Sequence, residues 1–512
     1  MNSTAHSQRP IQRPEIIVTS DQLSTPKPKT SSFGLDVAKL AGSTSFGQLL
    51  TIVAMPVLSR IYSPDSFGVA EVFAALVTVI GTIACLRYDL ALMLPERDED
   101  AANLLATSFF FTIITTFLTT LAVFVGREAL AEVLNTPELA SYLWLAPLGV
   151  LGTGGFLALN SWNSRKRRYG RLSVAGVTRS TTTVGTQLGA GLGYPGTAGG
   201  LIAGKVAGML ASSAMLGVQT WRSESRMIFQ SVNRQGMLTQ MKRYRKFPLF
   251  STWTALLNNI SWQLPSFLLA SFFSSSVVGY YALGTRLLRA PMSLVGTAIA
   301  QVFFQRATEA KAEGTLATLV ESGFRALTTL GMFPILLLAI TGQDIFVVAF
   351  GPSWAEAGVY TQILSVWTFF WFISSPLGTL YSVLERQEVG LVLNVIILAT
   401  RLISLIVGGV LNDARLALWL FGGSGIVVYG YISLMIANAS GVGLKTLFGM
   451  LTRQLIVFVP CGGILVLIKK LGASPLHVVI LTGILLAGYF VFLLKTDAQM
   501  KTLARQVGIP LR

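Results

Sequence analysis

The composition of the chain excludes a soluble globular protein. Of its 512 residues, 52% are hydrophobic and only 12% are charged, where soluble domains carry about 25% charged residues. Many apolar runs are long enough to cross a bilayer as helices, so the sequence indicates an all-α polytopic membrane protein. The two cysteines, Cys85 and Cys461, both lie in apolar runs, which excludes a disulfide framework or a cysteine metal site.

The first 32 residues are rich in Pro, Ser, Thr and Gln and lack the apolar core of a signal peptide. We expect a disordered tail followed by an uncleaved first helix. After it, about fourteen apolar segments each have the length of a transmembrane helix. They lie at 36–59, 67–94, 102–126, 141–163, 171–193, 197–220, 248–273, 277–303, 317–341, 359–384, 389–411, 414–437, 448–468 and 475–494.

The distribution of Lys and Arg orients these segments. With a cytoplasmic N-terminus, the inside loops and tails hold 25 Lys/Arg and the outside loops hold 5. Positive charge accumulates on the cytoplasmic side of membrane proteins, so both termini are predicted to be cytoplasmic. The net charge of +16 is explained by basic loops facing an anionic leaflet, and no nucleic-acid partner is needed.

The basic loop at 221–246 divides the first twelve segments into two sets of six. We therefore predict a tail at 1–32, lobes at 33–220 and 247–440, two extra helices within 441–496 and a tail at 497–512. YSPDSFG (62–68) and FSSSVVG (273–279) occupy the first outer turn of each lobe, 211 residues apart. Either this is a parallel repeat, or short outer turns resemble each other by chance. A repeat favours a transporter with its site between the lobes.

Polar side chains at helical spacing mark faces turned away from lipid. Such stripes follow the first two segments of each predicted lobe. They include Gln48 on the first segment, Glu71 and Asp89 on the second, Gln263 on the seventh and Arg286 on the eighth. One shared water-filled cavity is the interpretation we favour. Stripes that are mostly glycine, as in GLIAGKVAG (200–208), indicate close helix packing instead.

Arg286 and Arg289 are predicted to lie about 14–18 Å deep in the membrane, at a rise of about 1.5 Å per residue. Three residues apart, they share one helix face, as a clamp for an anion requires. A structural ion pair is the alternative. Arg179, Lys205 and Arg401 are further deep cations. Cations outnumber carboxylates in the segments, which predicts a positive cavity and an anionic substrate.

Arg87 and Asp89 stand near the end of the second segment. In a continuous helix they lie about 200° apart around the axis, so we expect no ion pair between them. Asp89 shares the stripe of Glu71 and is predicted to face the cavity. Arg87 faces apolar neighbours and is predicted to be a structural or gating anchor.

Catalytic signals are weak. His6 and His477 lie in the tail and at an outer boundary, and no nucleophile–base set or metal-ligand cluster forms at one depth. We expect no enzymatic activity, no metal and no cofactor. Two alternatives remain open: an integral-membrane glycan enzyme, and a drug/cation antiporter, which needs buried carboxylates rather than arginines.

Several stretches resemble the polysaccharide transporter (Wzx-like) flippases of the multidrug/oligosaccharidyl-lipid/polysaccharide exporter superfamily. They are RYDLALMLPERDEDAANLL (87–105), FPLFSTWTALLNNISWQLPSFLLASFF (247–273), VVGYYALGTRLLRAPMSLVGTAIAQVFFQRA (277–307) and FGPSWAEAGVYTQILSVWTFFWFISSPLGTLYSVLERQ (350–387). The resemblance implies two six-helix lobes around a central cavity formed by helices one, two, seven and eight. The two extra helices lie outside the lobes.

The resemblance further implies alternating access that moves an undecaprenyl-pyrophosphate-linked oligosaccharide to the outer leaflet of a bacterial inner membrane. For such a substrate we expect pyrophosphate contacts from Arg286, Arg289, Lys205 and Arg179, with Gln48 in the cavity. Glycan contacts are expected from Asn258, Asn259 and Gln263. Coupling to H⁺ or Na⁺ would use Glu71 or Asp89. Expected partners are membrane lipids and glycan polymerase or export machinery, around a monomeric transporter.

Overall fold

A computed structural model describes residues 30–291 and 297–496 of the chain. All regular secondary structure in these ranges is helical, as predicted. The first helix begins at Thr30, so it includes the last three residues of the predicted tail. The predicted disordered tail is otherwise outside the described residues, as is the tail at 497–512.

The predicted N-lobe consists of eight α-helices and one short 3₁₀ turn at Leu143–Leu145. The helices are α1 (Thr30–Ile61), α2 (Pro64–Thr82), α3 (Tyr88–Ala91), α4 (Asp98–Val133), α5 (Leu139–Tyr142), α6 (Ala146–Arg165), α7 (Tyr169–Gly193) and α8 (Ala198–Ser231).

Helix α9 (Arg234–Arg243) connects the lobes, and the C-lobe then opens with a π-helical turn at Phe247–Ser251. Its helices are α10 (Thr252–Phe272), α11 (Ser275–Pro291), α12 (Thr297–Glu313), α13 (Leu316–Phe350), α14 (Ala355–Leu377), α15 (Leu380–Val383), α16 (Gln387–Val410) and α17 (Ala414–Ala439). The chain continues with the two extra helices, α18 (Leu444–Lys470) and α19 (Pro475–Thr496).

Each of the fourteen predicted segments is helical over most of its described residues. Among the described residues, nine helices are long and apolar enough to cross a membrane, and the chain is a multi-pass membrane protein. Helices α7 and α10, which are not among the nine, carry several polar side chains along their length. Such polar positions are where a transport site is expected to lie.

Two predicted boundaries are wrong. The second segment is not one helix to residue 94, because α2 ends at Thr82 and α3 begins only at Tyr88. Leu86 and Arg87 between them have φ values of 47° and 61°, a left-handed conformation that no helix continues through. The inter-lobe segment at 221–246 is largely helical rather than a loop, since α8 runs on to Ser231 before α9 begins.

Helix starts and helix contacts follow local chemistry. Ser63 caps α2 by accepting a hydrogen bond from the Ser66 N–H at 3.2 Å, and Pro64 takes the first helical position.

Gly208 on α8 faces α7, where an added Cβ would overlap the Thr183 hydroxyl. The glycine pattern at 200–208 therefore serves close packing, as predicted.

Candidate functional site

A cavity of about 540 Å³ lies between the two lobes. Its polar lining comes from three helices: Gln48 and Thr51 on α1, Arg179 and Ser180 on α7, and Arg286 and Arg289 on α11. Phe156, Leu283 and Phe350 contribute to its apolar walls. Four of the predicted site residues, Gln48, Arg179, Arg286 and Arg289, thus line one cavity.

The helices around this cavity differ in part from those expected. Its lining in the described part of the chain comes from α1, α6, α7, α11 and α13, with none from α2 or α10. Helix α2 still reaches the cavity edge through Glu71. Helix α7, the fifth predicted segment, lines the cavity where the second was expected. It packs closely on α1 because Ser180 lies against Gly47, where an added Cβ would crowd the Ser180 hydroxyl.

Glu71 connects two cations from different lobes. Its Oε2 lies 2.9 Å from Nη2 of Arg286 on α11 and 3.5 Å from Nζ of Lys205 on α8. Lys205 also donates to the carbonyl oxygen of Ala70 at 3.3 Å. The structural ion pair that the sequence left open for Arg286 is therefore present, while the same arginine lines the cavity. Lys205 lies behind the cavity wall and influences the cavity through Glu71.

A second group of cations lies inside the C-lobe. The guanidinium carbons of Arg289 and Arg401 lie 5.3 and 4.5 Å from the centre of the Trp262 ring. Arg401 is only 5% exposed, and it donates to the Ser261 carbonyl and hydroxyl and to the Tyr429 hydroxyl at 2.9–3.4 Å. No carboxylate pairs with either arginine within the described residues.

Trp262 was missed by sequence reasoning, although it contacts both arginines. A tryptophan within an apolar run carries no pattern that separates a cation partner from a lipid-facing ring. The buried Nε of Arg289 has no hydrogen-bond partner in the part of the chain that the structure describes. This donor, the Arg286 guanidinium and Arg179 are the cationic groups that the cavity lining offers to an anion.

Arg87, which was predicted to be a structural or gating anchor, lines a second pocket that is separate from the central cavity. Together with Asn258 and Asn259 it lines an open pocket of about 450 Å³, which also includes Ser251 and Thr254 of the π-turn and α10. Two predicted glycan contacts and the predicted anchor therefore meet between α3 and α10. Gln263 lies further along α10, half-buried, and lines neither pocket.

Asp89 does not share a helix face with Glu71, because the break at 83–87 removes the continuous helix on which that prediction depended. The residue is 2% exposed on α3, and its Oδ1 has no partner within the described ranges. Arg87 and Asp89 make no ion pair among the described contacts, as predicted. The reason is the left-handed turn at Arg87 rather than helical spacing.

The lobes are joined at the end that the Lys/Arg bias places outside. Gly68 and Gly279, the last residues of the two similar motifs, face each other's helix starts, and an added Cβ would overlap the carbonyl of Ser275 or Pro64. Asp65 and Ser276, also 211 residues apart, lie within 3.5 Å. These contacts are reciprocal, as an internal two-fold relationship requires.

Further bonds join this same outer end, which we call the outer seam (residues 59–68 and 273–280, with Trp354). The Trp354 indole donates to the Ser59 carbonyl at 3.0 Å, and the Phe67 ring packs against Trp354 at 5.0 Å. The other side-chain hydrogen bonds between the lobes that the structure describes lie near this end or at Arg286. The described contacts between the lobes therefore concentrate at the end that the Lys/Arg bias predicts to be outside.

The sequence profile of the family described as "Polysaccharide biosynthesis protein" matches residues 57–359, more than half of the chain. The chain belongs to this family. The matched range includes every residue of the cavity lining except the five on α1, which lie at positions 47–55. The resemblance to Wzx-like transporters is confirmed.

Two characterised relatives are distant in sequence. The chain is 23% identical over 378 residues to the lipopolysaccharide biosynthesis protein WzxC of Escherichia coli (strain K12), covering 71% of this chain and 73% of WzxC. It is also 23% identical over 354 residues to the succinoglycan biosynthesis transport protein ExoT of Rhizobium meliloti (strain 1021), covering 66% of each chain.

Solved structures show the same fold at low sequence identity. The lipid II flippase MurJ in an inward closed conformation superposes with a TM-score of 0.64 and 13% identity, covering 93% of this chain and 100% of MurJ. An inward-facing multidrug resistance MATE family transporter superposes with a TM-score of 0.54 and 14% identity, covering 78% and 95%. This family member therefore has the all-α membrane fold of these transporters.

Proposed function

We propose that this protein is a flippase that moves a polyprenyl-pyrophosphate-linked oligosaccharide from the inner to the outer leaflet of a bacterial inner membrane. The observation that carries the proposal is the cavity, which places three arginines from both lobes, Arg179, Arg286 and Arg289, around one space. Its described lining includes no carboxylate. Guanidinium groups suit phosphate oxygens, with which they form charge-assisted hydrogen bonds.

The family and the names of its members support the same substrate class. WzxC and ExoT are named for the biosynthesis or transport of polysaccharides, and MurJ for flipping lipid II. A drug/cation antiporter shares the fold, but an arginine-lined cavity opposes a cationic drug. Turnover by an enzyme would need a nucleophile–base set, and the arginine-lined cavity supplies none.

Binding begins, in this proposal, with the lobes sealed at the outer seam. The pyrophosphate enters from the cytoplasmic side and contacts Arg286 and Arg289. The glycan lies against amide and hydroxyl groups of the pocket formed by Arg87, Asn258 and Asn259. The polyprenyl chain stays in the lipid, where its transfer costs nothing in hydrophobic burial.

Substrate binding competes with Glu71 for Arg286. A phosphate at Arg286 weakens the Glu71–Arg286 ion pair, which joins the two lobes at 2.9 Å. The Glu71 carboxylate, still beside Lys205, is then the group that takes up a proton or Na⁺. This exchange would couple substrate movement to an ion gradient, with Asp89 on α3 as the second candidate for the ion.

The test replaces Arg286 and Arg289 with alanine in the native host and measures surface polysaccharide at matched membrane levels. Losing two charge-assisted contacts is expected to lower export by about 100-fold or more. Arg97→Ala is the matched control, because this exposed arginine lies in a cytoplasmic turn away from the cavity. Undiminished export by the double variant would refute the clamp, and efflux of a cationic dye would favour the antiporter.

A further inference from the structure

A second polar pocket lies outside the two-lobed core, between α13, α18 and α19. Its volume is about 270 Å³. Arg325 on α13, Arg453 and Thr446 on α18, and Thr496 on α19 line it. Thr446 and Thr496 lie near helix ends that the Lys/Arg bias predicts to be cytoplasmic, and Arg325 and Arg453 lie nine residues into α13 and α18 from that same side.

The pocket has a fixed floor. The Gln454 amide donates to the Thr329 hydroxyl at 3.0 Å, and the Tyr489 hydroxyl lies 2.6 Å from the Thr329 carbonyl oxygen. Tyr489 is 5% exposed and stacks on Phe333 with ring centres 4.0 Å apart. Because three helices share this buried network, the pocket is a built feature of the fold rather than a gap between loosely packed helices.

A second attachment, at the other end of α18, also joins this helix to α13 of the C-lobe. Lys469 at the outer end of α18 lies 2.6 Å from Asp344 of α13 and donates to the Ile340 carbonyl at 2.9 Å. With the Gln454–Thr329 bond at the inner end, α18 is bound to α13 at two depths. The pocket at the inner end therefore keeps its geometry when the lipid around it exchanges.

The pocket carries positive charge that its own residues do not neutralise. Arg325 lies 3.3 Å from Glu321 on the same helix, so half of the basic rim is paired. Arg453 is exposed and has no carboxylate within ion-pairing distance in the described ranges. A guanidinium beside threonine hydroxyls is the donor arrangement that a phosphate group requires.

The deeper wall of the pocket is apolar. Val457, Phe492 and Leu493 line it, and the neighbouring Ile456 and Val459 of α18 are 66% and 59% exposed towards lipid. A molecule that satisfies both parts has a phosphate at the interface and hydrocarbon below it. Basic pockets between transmembrane helices on the cytoplasmic side have this preference for anionic lipid head groups.

We propose that this pocket binds the phosphate head group of an anionic phospholipid of the cytoplasmic leaflet, with Arg453 as its main contact. This lipid would lie against α13, α18 and α19 and would be separate from the transported substrate. Its expected effect is to hold the two extra helices against the C-lobe. The site does not depend on the flippase proposal, since none of its residues lines the central cavity.

The experiment titrates purified full-length protein with phosphatidylglycerol or phosphatidylcholine in detergent micelles. Native mass spectrometry counts the retained lipid, and the thermal unfolding midpoint reports stabilisation. Phosphatidylglycerol is expected to be retained and to raise the midpoint, whereas phosphatidylcholine is not. Arg453→Gln should weaken phosphatidylglycerol binding by a factor on the order of 10, because one charge-assisted contact is lost.

Arg97→Gln is the matched control, since it removes an exposed cytoplasmic charge outside the pocket. Soluble glycerol phosphate distinguishes a lipid from a free phosphate: it should give no stabilisation beyond sodium chloride of equal ionic strength. Equal stabilisation by glycerol phosphate would overturn the lipid assignment. Unchanged phosphatidylglycerol retention by Arg453→Gln would overturn the site.

Thr446→Val provides a second variant that keeps all charges and removes one hydroxyl from the pocket. It is expected to weaken phosphatidylglycerol retention by about 3-fold. If Arg453→Gln fails to fold, the comparison of Thr446→Val with Arg97→Gln decides the question in the same assay. Identical retention by these two variants would then count against the site.

Discussion

Two clusters of cations, one half-buried and one with a fully buried arginine, lie in this transporter, and they are stabilised in different ways. The central cluster, Glu71 with Arg286 and Lys205, is an ion-pair network whose members come from both lobes. The C-lobe cluster, Arg289 and Arg401 around Trp262, has aromatic and hydroxyl partners and no carboxylate in the described chain. The first joins the two lobes, which separate in the mechanism proposed above, and the second lies within one lobe.

This difference assigns different tasks to similar arginines. An ion pair across the lobes can be exchanged for a pair with a substrate phosphate, because both states satisfy the charge of Arg286. Arg401 cannot be exchanged in this way, since its donors are bound to Ser261 and Tyr429 within the C-lobe. Arg289 has features of both clusters. Its guanidinium stacks on Trp262 within the C-lobe, and its buried Nε has no hydrogen-bond partner among the described residues.

Removing Arg401 is expected to have the largest effect on stability. Arg401→Leu leaves the Ser261 carbonyl and the Tyr429 hydroxyl without their donors in a buried site, which costs about 3 kcal/mol in the free energy of unfolding. A marked fall in the thermal midpoint of the purified protein should report this loss. An unchanged midpoint would show that the C-lobe cluster is not held by Arg401.

Replacing Trp262 separates stacking from hydrogen bonding in the same cluster. Trp262→Leu removes the ring that both arginines contact and is expected to cost about 2 kcal/mol. Trp262→Phe keeps an aromatic face and should restore about half of the lost stability. Urea denaturation or thermal melts of the three proteins measure the series, and equal values for Leu and Phe would argue against the cation–ring contact.

The central cluster is tested by a double-mutant cycle on Glu71 and Arg286. We expect Glu71→Gln and Arg286→Gln to show a coupling energy of about 1 kcal/mol, because both groups are partly exposed to the cavity. This coupling energy is smaller than the stability loss expected for Arg401→Leu, because the central cluster is less buried than Arg401. Additive effects of the two substitutions would show that the ion pair does not join the lobes.

An exposed arginine on the C-lobe gives the lower limit of the comparison. Arg415 pairs with Glu356 at 2.6 Å, but its side chain is 58% exposed. Arg415→Leu is therefore expected to change stability by less than about 1 kcal/mol, with a further decrease of the effect at high salt. A loss as large as that for Arg401→Leu would mean that burial is not what distinguishes these arginines.

Much of the fold followed from the sequence because membrane spans are read from local composition. The apolar segments became helices, and the lobes divide near 221–246, where basic residues accumulate. Arg286, Arg289, Arg179 and Gln48 were also found from depth and spacing, and they line one cavity. A deep cation is expensive enough in lipid to be informative on its own.

The failures have two causes, a break in a helix and the packing of segments that are distant in the chain. Asp89 was placed on the face of Glu71 by assuming a continuous helix, and the left-handed residues Leu86 and Arg87 break it. The break leaves no clear sequence signal, because neither residue is a glycine or a proline. Arg87 lies near Asn258 and Asn259 because of how α3 packs against the start of the C-lobe. Helical periodicity predicts which face of a helix is buried, but it does not predict which distant helix that face contacts.

The sequence by itself determined the membrane environment and the helices, and it predicts their orientation by charge and an excess of cations over carboxylates in the spans. Each of these follows from the cost of placing a given side chain or peptide group in lipid, which is a local property. Only the tertiary structure decided the partners: Glu71 for Arg286, Trp262 for Arg289 and Arg401, and one glycine motif for the other across the outer seam. Partner choice depends on which helix faces meet, and that is set by packing across the whole chain.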